Sequence, residues 1–267
     1  MKIEKEKFQK RLLEEFLSGS SDVPWAFWKV QKLADEGETY YLPEYDTYYA
    51  VYNKFLFVCI SPDRKCHIPT DELNSFDCIQ IPADIFDSIK DKLVGFEPPS
   101  YSWRLKYDKD YKPPKLSDDF CVVDFDFTNE EHYEILTMDE DFTSENYKKV
   151  KCMYTLSSVF DPSLWFFMQD KKTKKLMGFA ISSYQESVKE TDLDYIHIIP
   201  EYQGKGAGRL MMAEIIKRSL DRSDSIRVGG TVEFYRKCGF RDFIHRAWAQ
   251  KPGYSLVAPS IQANLLP

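Results

Sequence analysis

A strand-like segment, three closely spaced glycines and a helical segment follow one another directly in the second half of the chain. The strand-like segment is DLDYIHII, residues 192–199, and the glycines stand in PEYQGKGAG, residues 200–208. The apolar or small residues that follow share one helical face, namely Met212, Ile215, Ile216, Ser219 and Leu220. Glycines before a helix let backbone N–H groups approach an anion, and the helix N-terminus adds partial positive charge. The segment therefore predicts either an anion cradle flanked by Lys205 and Arg209 or a tight turn with solvated cations.

Two common phosphate-binding motifs do not fit this segment. A P-loop requires G-x-x-x-x-G-K-[ST], which the segment lacks. A dinucleotide fingerprint requires G-x-G-x-x-G directly after the strand, whereas here the spacing is G-x-G-x-G and residues 200–203 intervene. The spacing therefore disfavours a nucleotide-binding oxidoreductase.

Composition narrows the class of protein. The chain has 267 residues, of which 43% are hydrophobic and 30% charged, and these values are typical of a globular protein with room for two domains. The formal net charge of −7 argues against nucleic acid as a partner. The N-terminus lacks the apolar core of a signal peptide, and no stretch approaches the ~18 apolar residues of a membrane span. We therefore expect a cytoplasmic protein without a membrane partner.

The cysteine pattern argues against a metal site. The sequence holds no C-x-x-C pair, and the Cys66–His67 couple has no metal-ligand spacing around it. The expectation is that all the cysteines are cytosolic thiols, mostly buried, and that the protein holds no metal. The six are Cys59, Cys66, Cys78, Cys121, Cys152 and Cys238.

Local patterns predict an α/β protein of two domains. We expect an N-terminal α/β domain over residues 1–112, a linker over 113–118 and a second domain over 119–267, which carries a mixed sheet flanked by helices. In the first half the pattern predicts a helix over 3–17, two strands between 47 and 60, a strand over 78–82 and a helix over 83–93. In the second half it predicts strands over 121–127, 164–170, 176–185, 192–199, 226–228 and 240–250. The helices predicted there are 130–140, 144–159, the one after the glycines, and 231–238. No internal repeat is apparent.

The glycine segment and a second motif resemble one family. The stretch Gln203–Gly208 has the form [QR]-x-x-G-x-[GA], and FYRKCGF follows at residues 234–240. Together with the element order β-α-α-β-β-β-α-β-α-β, they resemble motif A and the FY-x-K-x-GF segment of the GNAT superfamily of N-acetyltransferases. The resemblance covers about residues 119–250 and implies the GNAT fold for the second domain.

The resemblance implies acetyl-CoA, or another acyl-CoA, as co-substrate. The pyrophosphate then lies on the N–H groups of the glycine segment, and the pantetheine arm pairs with the exposed edge of the preceding strand. For the pyrophosphate the residues are Gln203, Gly204, Lys205, Gly206, Ala207 and Gly208, with Arg209 nearby; for pantetheine they are Ile198, Ile199 and Pro200. Strand edges suit pantetheine because its amides need hydrogen-bond partners.

The implied reaction is direct attack of an amine, from a small molecule or a protein, on the thioester. A primary amine with a pKa near ~10 is protonated at neutral pH, so a base is needed, and the departing thiolate gains from a proton donor. Tyr235 matches the family's catalytic tyrosine and is the predicted donor; the alternative is a packed helix residue. The base stays open between four candidates. Asp192 and Asp194 share a strand face with Ile196 and Ile198, because side chains alternate along a strand. His197 lies on the opposite face unless a bulge shifts the register, and Glu233 resembles an ordinary helix-surface residue.

Two departures from the family pattern keep a second hypothesis open. Many members have an Asn after the fifth strand that contacts CoA, whereas this chain has Val228-Gly229-Gly230-Thr231, and the stretch from 221 to 235 is short. These departures favour a non-catalytic acyl-CoA-binding module with an N-terminal interaction domain. If the chain is catalytic, the domain of residues 1–112, either a degenerate GNAT-like domain or another small α/β domain, is expected to cover the acceptor side.

Overall fold

The computed structural model describes residues 1–20, 23–112, 118–136, 158–230 and 232–255. The helices are α1 (Lys5–Leu17), α2 (Phe27–Glu36), α3 (Thr70–Leu73), α4 (Ala83–Ile89), α5 (Glu130–Leu136), α6 (Ala207–Ser219) and α7 (Val232–Lys237). The strands are β1 (Glu38–Leu42), β2 (Thr47–Tyr52), β3 (Phe55–Ile60), β4 (Cys78–Pro82), β5 (Ser100–Tyr107), β6 (Phe120–Asp124), β7 (Trp165–Asp170), β8 (Leu176–Gln185), β9 (Glu190–Ile198), β10 (Ser225–Gly229) and β11 (Phe240–Gln250).

The described chain forms two compact units. The first contains residues 1–105 and continues from residue 242, and the second contains residues 106–241. The predicted division placed everything from residue 119 onward in one domain, so the structure differs over the last strand, which belongs to the first unit from residue 242. Both changes of unit fall inside strands, β5 and β11, where neither proline nor glycine marks them. The predicted linker, 113–118, lies outside the described residues except for Asp118.

The first unit begins with two helices that pack on each other. Leu12 and Phe16 lie four residues apart on α1, so they share the buried face of that helix. Phe16 meets Phe27 of α2 edge to face, with ring centroids 5.0 Å apart. The sequence pattern predicted α1 and missed α2.

The strands of the first unit lie in the order β1-β2-β3-β4-β11-β5. β1, β2 and β3 pair antiparallel, β3 and β4 pair parallel, and β4 pairs antiparallel with β11. Asn53 and Lys54, both at positive φ, form the two-residue turn between β2 and β3. The two strands predicted between residues 47 and 60 are therefore confirmed as a hairpin.

The strands of the second unit lie in the order β10-β9-β8-β7-β6. β6 through β9 pair antiparallel with their neighbours, and β9 and β10 pair parallel. α6 covers β9, β8 and β6 and buries Met212, Ile215, Ile216 and Ser219 as predicted. Leu220, predicted on that face, follows the end of the helix and is exposed. Part of the helix predicted over 130–140 is present as α5, and the helix predicted over 144–159 falls almost wholly outside the described residues.

Both units use the same succession of elements. In each, three antiparallel strands are followed by a helix, a strand parallel to the third strand, and a second helix. The corresponding elements are β1-β2-β3-α3-β4-α4 and β7-β8-β9-α6-β10-α7. The sequence gives no sign of this repeat, because α3 has four residues and α6 has thirteen, and the segments before these helices differ in composition.

The predicted class, an α/β protein with a mixed sheet flanked by helices, is confirmed. The sequence reading missed β1, which follows directly on α2, and β5, which lies in a stretch with many prolines and charges that was read as a boundary. No helix in the described part of the chain is long and apolar enough to cross a bilayer.

Gly178 is the position of the second unit where a side chain fits worst. It lies opposite Ile198 in the β8–β9 pair, and a Cβ atom there would lie 2.1 Å from the His197 carbonyl oxygen. Since the obstructing atoms belong to the backbone of the neighbouring strand, Gly178→Ala should lower the free energy of unfolding by about 3 kcal/mol. Urea denaturation of the purified protein measures this loss.

Gly204→Ala is the matched control in the same unit. A Cβ atom at Gly204 meets open space, and only the backbone conformation, with φ +74°, opposes it. We expect a loss of about 1 kcal/mol from this conformation alone. Equal losses in the two variants would contradict the close approach at Gly178.

Candidate functional site

A cleft of about 630 Å³ opens in the second unit where β9, the glycine segment, α6 and α7 meet. The described residues that line it come from all four elements. They are Ile196, Ile198, Gln203, Gly204, Gly206, Gly208, Arg209, Phe234 and Tyr235. Seven of these nine residues were predicted as site residues, and the cleft brings the glycine segment and Tyr235 together.

The glycine segment adopts a conformation that favours glycine. Gly204 and Gly206 have φ +74° and +92°, in the left-handed region, and a Cβ atom at either position would meet no atom within 4 Å. Their freedom is therefore needed for the turn, and the space beside them stays open. A larger side chain at either position would extend into that space and shield the backbone.

The turn leads into α6, whose first backbone N–H groups lie beside the cleft and have no partner within the helix. Gly206 is the N-cap, and the Leu210 N–H is bonded to its carbonyl oxygen at 3.2 Å, so the N–H groups of Ala207, Gly208 and Arg209 have no acceptor within the helix. A thirteen-residue helix adds the positive end of its dipole at this point. This geometry suits an anion, as the first of the two predictions for the segment requires.

Two cations stand beside this helix end. Arg209 lines the cleft and is exposed, and the Lys205 ammonium lies 5.3 Å from the centroid of the Tyr202 ring. The neighbouring acid, Glu201, pairs with Lys175 at 3.0 Å. The local balance of charge around the glycine segment therefore favours an anion.

β9 leaves one edge open along the cleft. Its parallel pairing with β10 joins Glu190–Leu193 to Ser225–Val228 and ends there, while the pairing with β8 continues to Ile198. From residue 194 to residue 198, β9 thus pairs with β8 alone among the described strands. The two parallel strands splay apart, and backbone groups of β9 become available to an extended ligand.

Alternation along β9 decides which backbone groups face the open edge. The Ile199 N–H donates to the Met177 carbonyl oxygen at 2.8 Å, on the β8 side. In an antiparallel pair, successive residues point their N–H and C=O groups to opposite sides, so those of Ile198 and Ile196 face the open edge. The structure therefore places Ile198 at the predicted strand edge, turns Ile199 toward β8, and adds Ile196. Pro200 has no N–H, and its carbonyl accepts from the Gln203 N–H at 3.1 Å.

Gln203 ties the glycine segment to this edge. Its Nε2 donates to the Ile198 carbonyl oxygen at 2.8 Å. The bond fixes the segment at the end of β9, and it also shows that the Ile198 carbonyl points away from β8. The side chain of Gln203 thus holds the turn in place, a role different from the backbone contact that the resemblance implies.

Gly208 serves packing rather than conformation. A Cβ atom there would lie 3.1 Å from Cζ of Phe234, so α6 approaches the Phe234 ring closely. Phe234 and Ile196 are lining residues that the sequence reading missed. The sequence contains patterns that could have predicted both residues. Phe234 precedes Tyr235 in FYRKCGF, and Ile196 lies two residues before Ile198 on the same strand.

Tyr235 reaches the cleft from α7 through a buried position. The residue is 9% exposed, and its ring packs edge to face on Phe234 and Phe240, with centroids 5.2 and 5.9 Å away. Burial raises the pKa of Tyr235 to about 12, with a smaller contribution from Cys238. The phenol therefore keeps its proton at neutral pH and is available as a hydrogen-bond donor.

A β-bulge at Asp194 changes which residues share the cleft face of β9. Leu193 faces Ser182 and Tyr195 faces Ile181, so Asp194 is an extra residue between them. An extra residue shifts the alternation by one, and Asp192 no longer shares a face with Ile196 and Ile198. The prediction of a shared face was therefore wrong for Asp192, because regular alternation fails at the bulge. Neither Asp192 nor Asp194 is among the described lining residues.

Asp192 lies instead beside a buried ion pair. Arg227 of β10 faces Asp192 in the strand register, and its Nε lies 3.3 Å from Oε1 of Glu190. All three residues are about 1% exposed, and Arg227 Nε also donates to Ser225 Oγ at 3.0 Å. At this position the charge of Arg227 can neutralise the buried carboxylates of β9. A role of Asp192 or Asp194 as the catalytic base stays a prediction.

The remaining candidates are not among the described residues that line the cleft. His197 stacks on Phe179, and Glu233 is exposed and pairs with Lys237 at 3.4 Å, as an ordinary helix-surface residue does. Cys238 is buried, and burial raises the pKa of its thiol to about 11. It therefore stays protonated at neutral pH, which agrees with the interpretation of Cys238 as a core residue.

Comparison with known proteins identifies the class of this region. Residues 126–240 match the model of the acetyltransferase (GNAT) family. They also include the glycine segment, the open strand edge and Tyr235, which the structure brings together. Residues 126–240 therefore belong to the GNAT family.

A curated relative and solved structures agree with this assignment. The uncharacterized N-acetyltransferase ycf52 of Gracilaria tenuistipitata var. liui is 34% identical over 97 residues, which are 35% of this chain and 51% of that relative, so the chain spans about half of its length. A GCN5-related N-acetyltransferase from Sphaerobacter thermophilus superposes with a TM-score of 0.64 at 14% identity over 94% of both chains. A tandem GNAT protein from the clavulanic acid biosynthesis pathway superposes with a TM-score of 0.54 at 9% identity, over 96% of this chain and 98% of that chain. At such identities the structures establish the fold alone.

The residues present fit an acyl-CoA. The uncapped N–H groups at the start of α6 and the open space beside Gly204 and Gly206 suit a pyrophosphate, and the open edge at Ile196 and Ile198 suits the amides of a pantetheine arm. Arg209 adds a cation at the mouth. Within the described ranges no three His, Cys, Asp or Glu side chains come close enough together to hold a metal ion.

The buried pair between Glu190 and Arg227 gives a stability prediction. Arg227→Leu leaves Glu190 and Asp192 buried without their cation, and the free energy of unfolding should fall by about 3–5 kcal/mol. Urea denaturation at neutral pH is the measurement. Lys237→Leu, which breaks the exposed pair with Glu233, is the control and should lower the free energy of unfolding by less than about 1 kcal/mol. A small loss in Arg227→Leu would contradict the role assigned to the buried pair.

Proposed function

We propose that this protein is an N-acetyltransferase that uses acetyl-CoA and acetylates a primary amine of a small molecule or a protein. The observation that carries the proposal is the convergence, in one cleft, of an anion-binding helix start, an open strand edge and a protonated buried tyrosine. Each matches one chemical part of the co-substrate: pyrophosphate, amide-bearing arm and thioester sulfur. The family match over residues 126–240 supports the same chemistry. We expect the enzyme to work in the cytoplasm.

Binding follows from the residues already described. The N–H groups from Gly204 to Arg209 hold the pyrophosphate, and Gln203 keeps that turn against Ile198. Backbone groups of Ile196 and Ile198 orient the pantetheine arm toward Tyr235. The bound co-substrate supplies an activated acetyl thioester.

Tyr235 acts as a hydrogen-bond donor to the departing sulfur. A thiol has an ordinary pKa of about 8.5, so full proton transfer from a phenol whose pKa is about 12 is unfavourable. A hydrogen bond to the charge that develops on sulfur stabilises the transition state without that transfer. The phenol is held for this role by the packing of its ring against Phe234 and Phe240.

The base that deprotonates the amine lies outside the described lining, which contains no carboxylate and no imidazole. Asp194 is closest in sequence to the cleft face of β9 and remains the first candidate, acting through water. The lack of a carboxylate or imidazole among the described lining residues also favours the alternative, a non-catalytic module that binds acyl-CoA. Both hypotheses assign acyl-CoA binding to the glycine segment, but only the first expects transfer of the acyl group to an amine.

Incubation of the full chain with acetyl-CoA and a panel of amines distinguishes them. Release of free thiol is followed, and the products are weighed by mass spectrometry. We expect an acetylated amine together with stoichiometric thiol. Tight binding of acetyl-CoA without transfer to any amine would favour the module, and binding of NAD but not of acetyl-CoA would contradict both.

Gly206→Val tests the anion cradle. The variant places a branched side chain at φ +92°, and it should weaken acetyl-CoA binding by at least about tenfold, since the N–H groups lose their geometry. Isothermal titration measures the dissociation constant. Gly95→Val is the matched control, because Gly95 in the first unit has φ +81° and the same open surroundings. A similar loss of affinity in both variants would indicate strain rather than a cradle.

Tyr235→Phe tests the donor. The variant should lower kcat by roughly 100-fold and leave the affinity for acetyl-CoA nearly unchanged. Since the pKa of Tyr235 is raised to about 12, its donor form is complete below that value and is lost only as the pH rises through it. The wild-type kcat/KM should therefore rise from about pH 7 to 10, as the amine loses its proton, without a decline. An unchanged kcat in Tyr235→Phe would contradict the donor role, and a wild-type alkaline decline in this range that disappears in the variant would contradict the raised pKa of Tyr235.

A further inference from the structure

The first unit holds a thiol pair that the acyl-transfer chemistry does not use. Cys59 lies near the end of β3, and Cys66 lies in the segment that leads from β3 to α3. Both side chains belong to one apolar cluster, which includes Leu56, Ile68 and Leu73. The Cys59 thiol donates a hydrogen bond to the sulfur of Cys66.

A tightly bonded turn separates Cys59 from Cys66 in the chain. The Ser61 hydroxyl donates to the Lys65 carbonyl oxygen at 2.7 Å, and the Arg64 N–H donates to the Ser61 carbonyl oxygen at 3.0 Å. Asp63 accepts from the Lys65 N–H at 3.1 Å, and its carboxylate lies 2.9 Å from Nε2 of His67. These bonds hold the segment between the two cysteines in one conformation, while both side chains pack in the same apolar cluster.

The surroundings make the two thiols unequal. Cys59 is 6% exposed, while Cys66 is half-buried and is the more accessible of the two. The hydrogen bond from Cys59 lowers the pKa of the Cys66 thiol, and so does the positive charge of Arg246, while burial and Glu72 oppose them. A thiolate is the form that attacks disulfides, so Cys66 is suited to attack and Cys59 to resolution.

We propose that Cys59 and Cys66 form a disulfide-exchange site that low-molecular-weight disulfides, such as oxidised glutathione, convert into an intramolecular disulfide. The Cys66 thiolate attacks one sulfur of oxidised glutathione, which forms a mixed disulfide and releases one reduced glutathione. Cys59 loses its proton to solvent and attacks the Cys66 sulfur, which releases the second reduced glutathione. The two protein thiols are oxidised, and one molecule of oxidised glutathione is reduced to two thiols. The product locks the turn between residues 61 and 65.

Oxidised glutathione itself is the probe for this site. The full chain is incubated with it, remaining thiols are alkylated, and peptides are analysed by mass spectrometry without reduction. We expect a peptide in which Cys59 and Cys66 are linked and the loss of both as alkylatable thiols, reversed by excess reduced glutathione. Cys121→Ser is the control, because that thiol bonds to Gln169 rather than to a second thiol, and the linked peptide should persist in it.

Single variants separate the two roles. In Cys59→Ser the mixed disulfide at Cys66 should accumulate, and in Cys66→Ser the buried Cys59 should stay alkylatable only after unfolding. The proposal is overturned if wild-type Cys59 and Cys66 both remain reduced while Cys121 is modified. It is also overturned if wild-type Cys66 stops at the mixed disulfide, or if it links to a cysteine other than Cys59. The wild-type outcome decides the question even if a variant fails to fold.

Discussion

The separation of β9 from β10 is the constraint on which the site depends. Up to Leu193 the two strands pair as parallel neighbours, and the buried contact between Glu190 and Arg227 lies between them. Beyond Leu193 the backbone of β9 pairs with β8 and with no second strand among the described residues. Without that separation, the hydrogen-bonding groups of Ile196 and Ile198 would be consumed by the sheet, and the glycine turn would face a closed surface.

The repeat of elements in the two units shows what the site requires beyond a fold. In the first unit β3 and β4 also pair parallel, but the helix between them has only four residues, and the segment before it, residues 61–69, contains no glycine. A helix of one turn has almost no dipole and few exposed N–H groups to offer. The same succession of strands therefore supports an anion cradle only in the second unit, where α6 has thirteen residues and the turn contains Gly204 and Gly206.

The sequence predicted those parts of the structure that depend on local patterns. The glycine segment, the amphipathic face of α6 and the position of Tyr235 were all visible in neighbouring residues, because turn conformation and helical periodicity are local properties. The bulge at Asp194 was not predictable, since an extra residue in a strand leaves the letters of DLDYIHII unchanged and appears only in the pairing with β8. The assignment of residues 242–250 to the first unit was missed for the same reason, because it depends on pairing with residues 78–82, far away in the chain.

The bulge at Asp194 separates two halves of β9 that have different surroundings. Glu190 and Asp192 are buried carboxylates, so the first half of β9 must be closed and supplied with a cation, which Arg227 provides. The second half must remain open and present apolar side chains to a cleft whose one charged lining residue among those described is Arg209. A regular strand would bring Asp192 onto the face of Ile196 and Ile198 and would add a negative charge where the helix start favours an anion. The extra residue turns Asp192 away from the cleft, so the preference of the cleft for an anion depends on this bulge as well as on the glycines.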